Sequence, residues 1–190
     1  MITEVELADL TQAILGATAT CGNSIVLTID GPAGSGKTTL AAALENRIAS
    51  SGRSAMTIHL DDIYNGWEDA LGASLTRNLA EKVIPGITTG HSFLLPRFDW
   101  AISEYSNPMI YLPSEIVIIE GVGAGQSAIR EFATLAIWIY IDSEVGMARV
   151  LARDGQTVKA HMRQFQRAQN EHFLNEGSEL AADYRLNGAP

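Results

Sequence analysis

The residues Gly31-Pro32-Ala33-Gly34-Ser35-Gly36-Lys37-Thr38 satisfy the pattern G-x-x-x-x-G-K-[ST]. They stand between a β-branched run, Ser24-Ile-Val-Leu-Thr-Ile-Asp30, and a segment in which Leu40, Ala41, Leu44 and Ile48 repeat at helical spacing. Strand, glycine-rich turn, helix is the order in which such an octapeptide can work. The glycines let successive backbone N–H groups turn toward one phosphate, and the helix N-terminus adds the positive end of its dipole. Lys37 is then placed to neutralise β- and γ-phosphate oxygens and Thr38 to ligate Mg2+. Gly31, Pro32, Ala33, Gly34, Ser35, Gly36 and Thr39 complete the expected nucleotide cradle. At ordinary glycine usage of about 7%, the four fixed positions arise by chance in such a chain on the order of once in a hundred.

The rest of the chain supplies elements that fit around this turn. Further strands are expected at 56–60, at Ile116–Glu120, at 135–141 and, short, at 183–186; helices are expected over about 37–49, 143–153 and 157–174. Thr3 and Glu6 have capping-box spacing, and Val5, Leu7, Leu10, Ile14 and Leu15 make an apolar stripe, so residues 1–23 open as a helix. Strands alternating with helices imply an α/β fold, a parallel sheet covered on both faces through right-handed crossovers. Residues 86–113 carry Pro96, Pro108 and Pro113 and no sustained period, and read as an acceptor-side excursion rather than a separate domain.

Composition limits what the cradle can serve. The 190 residues fit one domain, 1–190, and 46% hydrophobic content excludes wholesale disorder. With 13 Lys+Arg against 22 Asp+Glu, the net charge of −9 argues against broad contact with nucleic acid or an anionic membrane. A single cysteine, Cys21, permits no intramolecular disulfide and has no neighbouring base, and no Cys/His cluster has zinc spacing. The acidic first ten residues do not resemble a secretory signal and no run is long enough to span a bilayer, so a cytoplasmic location is expected.

A phosphate cradle alone is compatible with kinases, GTPases, motors and switches. The Asn-Lys-x-Asp tetrad that reads guanine is missing, as is a Leu-Ser-Gly-Gly-Gln signature; Asp69-Ala70-Leu71-Gly72 matches D-x-x-G but looks helical. A small-molecule kinase then leads, because it needs little beyond phosphate positioning, a metal, a base and a lid. The 56–60 strand runs into Asp61 and Asp62, at the carboxyl edge where parallel sheets bind ligands. One of these acids can accept the proton of an attacking hydroxyl while the other holds Mg2+, with Asp61 the preferred base; both can also cap a following helix. Glu120 ends a strand of four apolar residues, where a carboxylate orients a metal-bound water or contacts the acceptor. Trp67 and Trp100 flank the expected crevice and either stack on an acceptor or pack in the core. Arg97 beside Asp99 can contact the acceptor or form an ordinary ion pair, while Arg163, Arg167, His91, His161 and His172 read as surface or helix-packing residues.

Together, Gly36-Lys37-Thr38-Thr39, Asp61-x-x-Tyr64, Pro96-Arg97-Phe98-Asp99-Trp100 and Ile118-Ile119-Glu120-Gly121 resemble, in identity and order, the uridine kinase, pantothenate kinase and phosphoribulokinase group of P-loop kinases. The resemblance covers about residues 24 to 175. It implies a three-layer fold with a five-stranded sheet of order 2-3-1-4-5, ATP and Mg2+ as cofactors, and frequent homodimers. It also implies Asp61 as base and Asp99 on acceptor hydroxyls; from their place in the sequence, Asp62, Tyr64, Trp67, Arg97 and Glu120 are expected around the acceptor and Asp61 also at the metal. Thr38 and Glu120 fall at the metal, and Arg149 and Arg153 of a short lid, about 149–161, clamp the phosphate in transfer. Two departures stand out. Asn65-Gly66-Trp67-Glu68-Asp69 replaces the Asp-His-Pro element that helps uridine kinases hold their nucleoside, and the lid lacks their extra arginines. The expected activity is phosphorylation of a hydroxyl on a small metabolite, with nucleosides among the candidates. An ATP-binding regulatory protein without an acceptor is the competing class.

Overall fold

In the computed structural model, which describes residues 3–188, the chain opens with helix α1 (Glu4–Gly16). Thr3 Oγ1 accepts a hydrogen bond from the Glu6 amide at 3.2 Å, and the Glu6 carboxylate accepts from the Thr3 amide at 2.7 Å, so the expected capping box forms. Leu7, Leu10 and Ile14 are buried; the Val5 side chain lies outside what is described. Strand β1 (Ile25–Asp30), buried at every residue, leads through the glycine-rich turn into α2 (Lys37–Ser50) and then β2 (Ala55–His59). Two short helices, α3 (Ala73–Asn78) and α4 (Ile84–Thr89), follow, joined by a π-turn over Leu79–Val83. After the excursion come β5 (Ile116–Glu120), the single turn α5 (Ser127–Arg130), β6 (Leu135–Tyr140), α6 (Ser143–Asp154), α7 (Lys159–Glu176), α8 (Ser178–Ala181) and β7 (Tyr184–Asn187).

The main sheet has the order β2-β5-β1-β6-β7, all pairs parallel, which is the expected 2-3-1-4-5 counted along the sheet's own strands. Strand alternation builds two cores. Ile25, Leu27, Ile29, Ile116 and Ile118 point to the face covered by α1 and α2. Val26, Val117 and Ile119 point to the other, against Leu75, Leu79, Val83, Val150 and Phe165. Register also sets the site: Glu120 is the cross-strand partner of Ile29 on one side and of His59 on the other.

Two stretches depart from the sequence reading. Within 86–113 the chain is not irregular: β3 (Phe93–Asp99) and β4 (Glu104–Tyr111) form an antiparallel hairpin. Pro96 and Pro108 hide it, because proline suits only positions that need no ladder N–H; the register slips between Leu95 and Arg97, around Pro96. Residues 69–72 form a turn rather than helix. The Asp69 carboxylate accepts from Asn65 Nδ2 and Ser74 Oγ, and α3 starts only at Ala73. Among the described residues no helix is long and apolar enough to cross a membrane.

Candidate active site

The glycine-rich turn lies at the carboxyl edge of the sheet, wedged against the neighbouring strand and helix. Gly31 and Gly34 have φ of +141° and +80°. A Cβ on Gly31 would sit 2.3 Å from the Ile139 carbonyl of β6, and one on Gly34 2.4 Å from the Gly146 carbonyl of α6, so only glycine fits either place. Lys37, in the first turn of α2, is buried and donates from Nζ to the Gly31 and Pro32 carbonyls at 2.9 and 3.0 Å. Burial pulls its pKa down, opposed by the negative charges of Glu120, Asp61 and Asp30. Ser35 Oγ is buried in the turn without a hydrogen-bond partner among the described residues.

A cavity of about 860 Å³ opens over this turn. Lys37, Thr38 and Thr39 line one end; Asp61, Asp62, Tyr64, Trp67 and Trp100 line another; Arg149 and Arg153 come from α6, and Glu120 from β5. The structure therefore brings together most of the residues singled out from sequence. Asp61 and Asp62 lie on a 3-10 turn, Leu60–Asp62, that ends β2. Asp61 is open to the cavity, yet the protein packed around it raises its pKa, and Glu120 adds to the rise against the pull of Lys37 and Arg153. Trp100 donates from Nε1 to the Asp61 carbonyl at 2.9 Å, tying the hairpin to this turn.

Several expectations become narrower. The Tyr64 hydroxyl donates to the Val122 carbonyl at 2.8 Å, so this fully buried phenol is committed to the protein. Trp67 packs edge-on to Trp100 and Phe165, and His161 of α7 stacks on it with ring centroids 5.5 Å apart. Arg153 makes a two-pronged pair with Asp154, at 2.7 and 2.8 Å, and Arg149 reaches the Gly34 carbonyl at 3.4 Å. Arg97 and Asp99 do not line the cavity. Arg97 is exposed on the hairpin, and Asp99 Oδ1 turns back to accept from the Ala101 amide at 2.9 Å, closing the β3–β4 turn. Arg163 and Arg167 are exposed, as a solvated helix face requires.

Two residues here, His59 and Asp30, carry no signal in the linear sequence. Glu120, nearly fully buried, has a single oxygen, Oε1, that accepts from Thr38 Oγ1 at 3.0 Å and meets His59 Nδ1 at 2.6 Å. This contact with Glu120 raises the His59 pKa, partial burial working against it. Only the β2–β5 register, which sets His59 beside Glu120, could have revealed the pair. Asp30 is the other. Buried at the end of β1, it accepts from the amides of Gly31 and Gly123 through Oδ1, at 2.7 and 2.9 Å, and of Gly125 through Oδ2, at 2.9 Å. Burial raises its pKa while these three amides favour its charged form. It pins the loop after Glu120 to the start of the phosphate turn.

Residues 23–84 match the adenylylsulphate kinase family, a segment that runs from β1 through the phosphate turn to Asp61 and beyond. No curated protein matches the sequence. Among solved structures, a possible uridine kinase from Bacillus stearothermophilus superposes with a TM-score of 0.72 at 22% identity, over 95% of this chain and 96% of that one. A candidate fructose transport system kinase from Silicibacter sp. TM1040 gives 0.66 at 17% identity, covering 94% and 98%. A D-glycerate 3-kinase from Cryptococcus neoformans var. grubii gives 0.57 at 14%, covering 92% and 88%. The sheet order, the phosphate turn at its carboxyl edge and these superpositions give the chain the fold of the P-loop kinases related to uridine kinase.

Proposed function

We propose that the chain is an ATP-dependent kinase that transfers the γ-phosphoryl group to a hydroxyl of a small metabolite, in the manner of a uridine kinase-like enzyme. The observation that carries this reading is the convergence of the phosphate turn, a carboxylate and two lid arginines on one cavity. The orphaned Ser35 hydroxyl in the turn suits a phosphate oxygen, and Lys37 is one short swing from leaving its own loop carbonyls for the nucleotide. Asp61, its pKa raised by burial and by the neighbouring Glu120, takes the hydroxyl proton as the new O–P bond forms and the β–γ bridging oxygen departs with the electron pair of the old one. Arg149 and Arg153 face the charge that spreads over the transferring group.

The oxygen donors Thr38, Glu120 and Asp61 fit Mg2+, which prefers hard oxygen ligands and is held by one or two carboxylates together with substrate phosphates. Among the described residues no group of three or more His, Cys, Asp and Glu forms a metal cage, consistent with an ion that arrives with its nucleotide. When bound, it supplies charge neutralisation across the β- and γ-phosphates. The test is acceptor-stimulated ATP consumption across nucleosides, sugars and simple alcohols, run on wild type and Lys37→Ala. Stimulation by one acceptor class, lost by at least about a hundredfold in the folded variant, is the expected result. Turnover that survives the loss of Lys37 overturns the mechanism, and an absence of stimulation by every acceptor favours the regulatory ATP-binding class.

A further inference from the structure

We propose that Asp62 screens acceptors by charge, so that the alcohol phosphorylated in this cavity carries no anionic group of its own and is uncharged or cationic. The inference rests on the kinase reading above and names the acceptor class of that site. It begins from an asymmetry in the cavity wall. The lining cations are Lys37, Arg149 and Arg153: Lys37 is engaged with the Gly31 and Pro32 carbonyls and Arg149 with the Gly34 carbonyl, all in the phosphate turn, while Arg153 is paired with Asp154. Where the acceptor enters, beside Asp61, the wall is Asp62 and the rings of Trp67 and Trp100. Among the described residues the Asp62 carboxylate makes no hydrogen bond and no ion pair, which leaves its oxygens to a ligand's donors. The one cation of the hairpin, Arg97, is exposed and stands outside the lining.

This wall can hold hydroxyl or ammonium donors and can stack on a ring or the C–H face of a sugar, and the negative faces of the indoles attract cations. An acceptor carboxylate or phosphate would meet Asp62 with no lining cation left to pair it, in a cavity where water screens charge less than in bulk. Acceptors of the glycerate type, although they belong to a protein of similar fold, are then the wrong charge for this site.

Two measurements test the proposal. The first needs no acceptor: Trp67 and Trp100 line the cavity while Trp138 is buried, so collisional quenching of tryptophan fluorescence by caesium and by iodide, at matched low ionic strength, reports the sign of charge in the cavity. With each quenching constant divided by that of free tryptophan, since iodide is intrinsically the stronger quencher of indole, caesium is expected to quench several-fold better than iodide, the ratio falling at least twofold in Asp62→Asn and staying unchanged in Glu179→Gln, an exposed acid on α8. Iodide quenching as well as caesium, or a ratio unaltered in Asp62→Asn, overturns the proposal. The second compares ATP consumption with matched acceptors: glycerol against glycerate, panthenol against pantothenate, and uridine against its 6-carboxylate. The uncharged member is expected to lead by at least about tenfold, 1.4 kcal/mol, and Asp62→Asn to narrow that gap. Preference for any anionic member overturns the charge screen and leaves the kinase reading intact. Silence from every acceptor overturns the kinase reading, and the quenching ratio still decides the charge of the cavity.

Discussion

Replacing His59 by asparagine separates the two things that its contact with Glu120 does. Asparagine can keep a hydrogen-bond donor near the Nδ1 position but cannot carry the proton that makes the contact an ion pair. A hydrogen bond to a charged partner contributes about 1.5–3 kcal/mol, and the 40% exposure of the His59 side chain against 5% for Glu120 brings the expectation to about 1–2 kcal/mol. The sign follows from the direction of the shift. Because Glu120 raises the pKa of folded His59 above the unfolded value of about 6.5, the folded state holds a proton that the unfolded state releases first. The stabilisation is therefore complete below about pH 6.5 and is lost as pH rises through the folded value. Urea unfolding of wild type and His59→Asn at pH 6 and pH 9 measures it. The variant should be less stable by about 1–2 kcal/mol at pH 6, a shift of roughly 2–8 °C in Tm, and by less than about 0.5 kcal/mol at pH 9. A deficit that is equal at the two pH values, or larger at pH 9, would refute the argument, since it would mean that the folded protein does not hold His59 protonated against Glu120.

Two further substitutions test the frame around the cradle. Gly34→Ala forces a side chain into φ of +80° and within 2.4 Å of the Gly146 carbonyl; it should cost at least about 2 kcal/mol by thermal unfolding and weaken ATP binding in calorimetry, and a loss below about 0.5 kcal/mol would contradict the packing described. Asp30→Ala strands the amides of Gly31, Gly123 and Gly125, so chemical denaturation should report a loss of at least about 3 kcal/mol, and a loss below about 1 kcal/mol would show that these amides find other partners.

The centre of the sheet was legible in the sequence because β1 and β5 are short, apolar and buried at every residue, whereas β2 is only half-buried and β7 is largely exposed at the edge. Ile116–Glu120 stands out as such a run, and its observed bounds match the reading residue for residue. The hairpin at β3 and β4 was illegible for the converse reason. A two-stranded ribbon at the periphery buries little, its exposed Leu94 pairs with exposed Ile110, and its prolines read as loop punctuation. Similarly, the helical stretch from Ala73 to Thr89 contains Pro85 and Gly86 and widens into a π-turn just before them, so no single period runs through it.

For the site, the division runs between residues fixed by a local pattern and residues fixed by register. Lys37 and Thr38 belong to an octapeptide, Glu120 ends a strand and Asp61 follows one directly, so their place at the carboxyl edge follows from chain order alone. Asp30 and His59 end strands, but their roles come from what stands beside them: three amides from two loops in one case, one carboxylate on the neighbouring β5 in the other. That difference bears on the charge of −9. Of the acids at the sheet edge, Asp30 is consumed by backbone amides and Glu120 by Thr38 and His59, while burial and the neighbouring Glu120 raise the pKa of Asp61. The Asp61 and Asp62 carboxylates are left in the cavity without such a partner among the described residues, so the acidity that an acceptor meets is set by these two side chains rather than by the surplus of the whole chain.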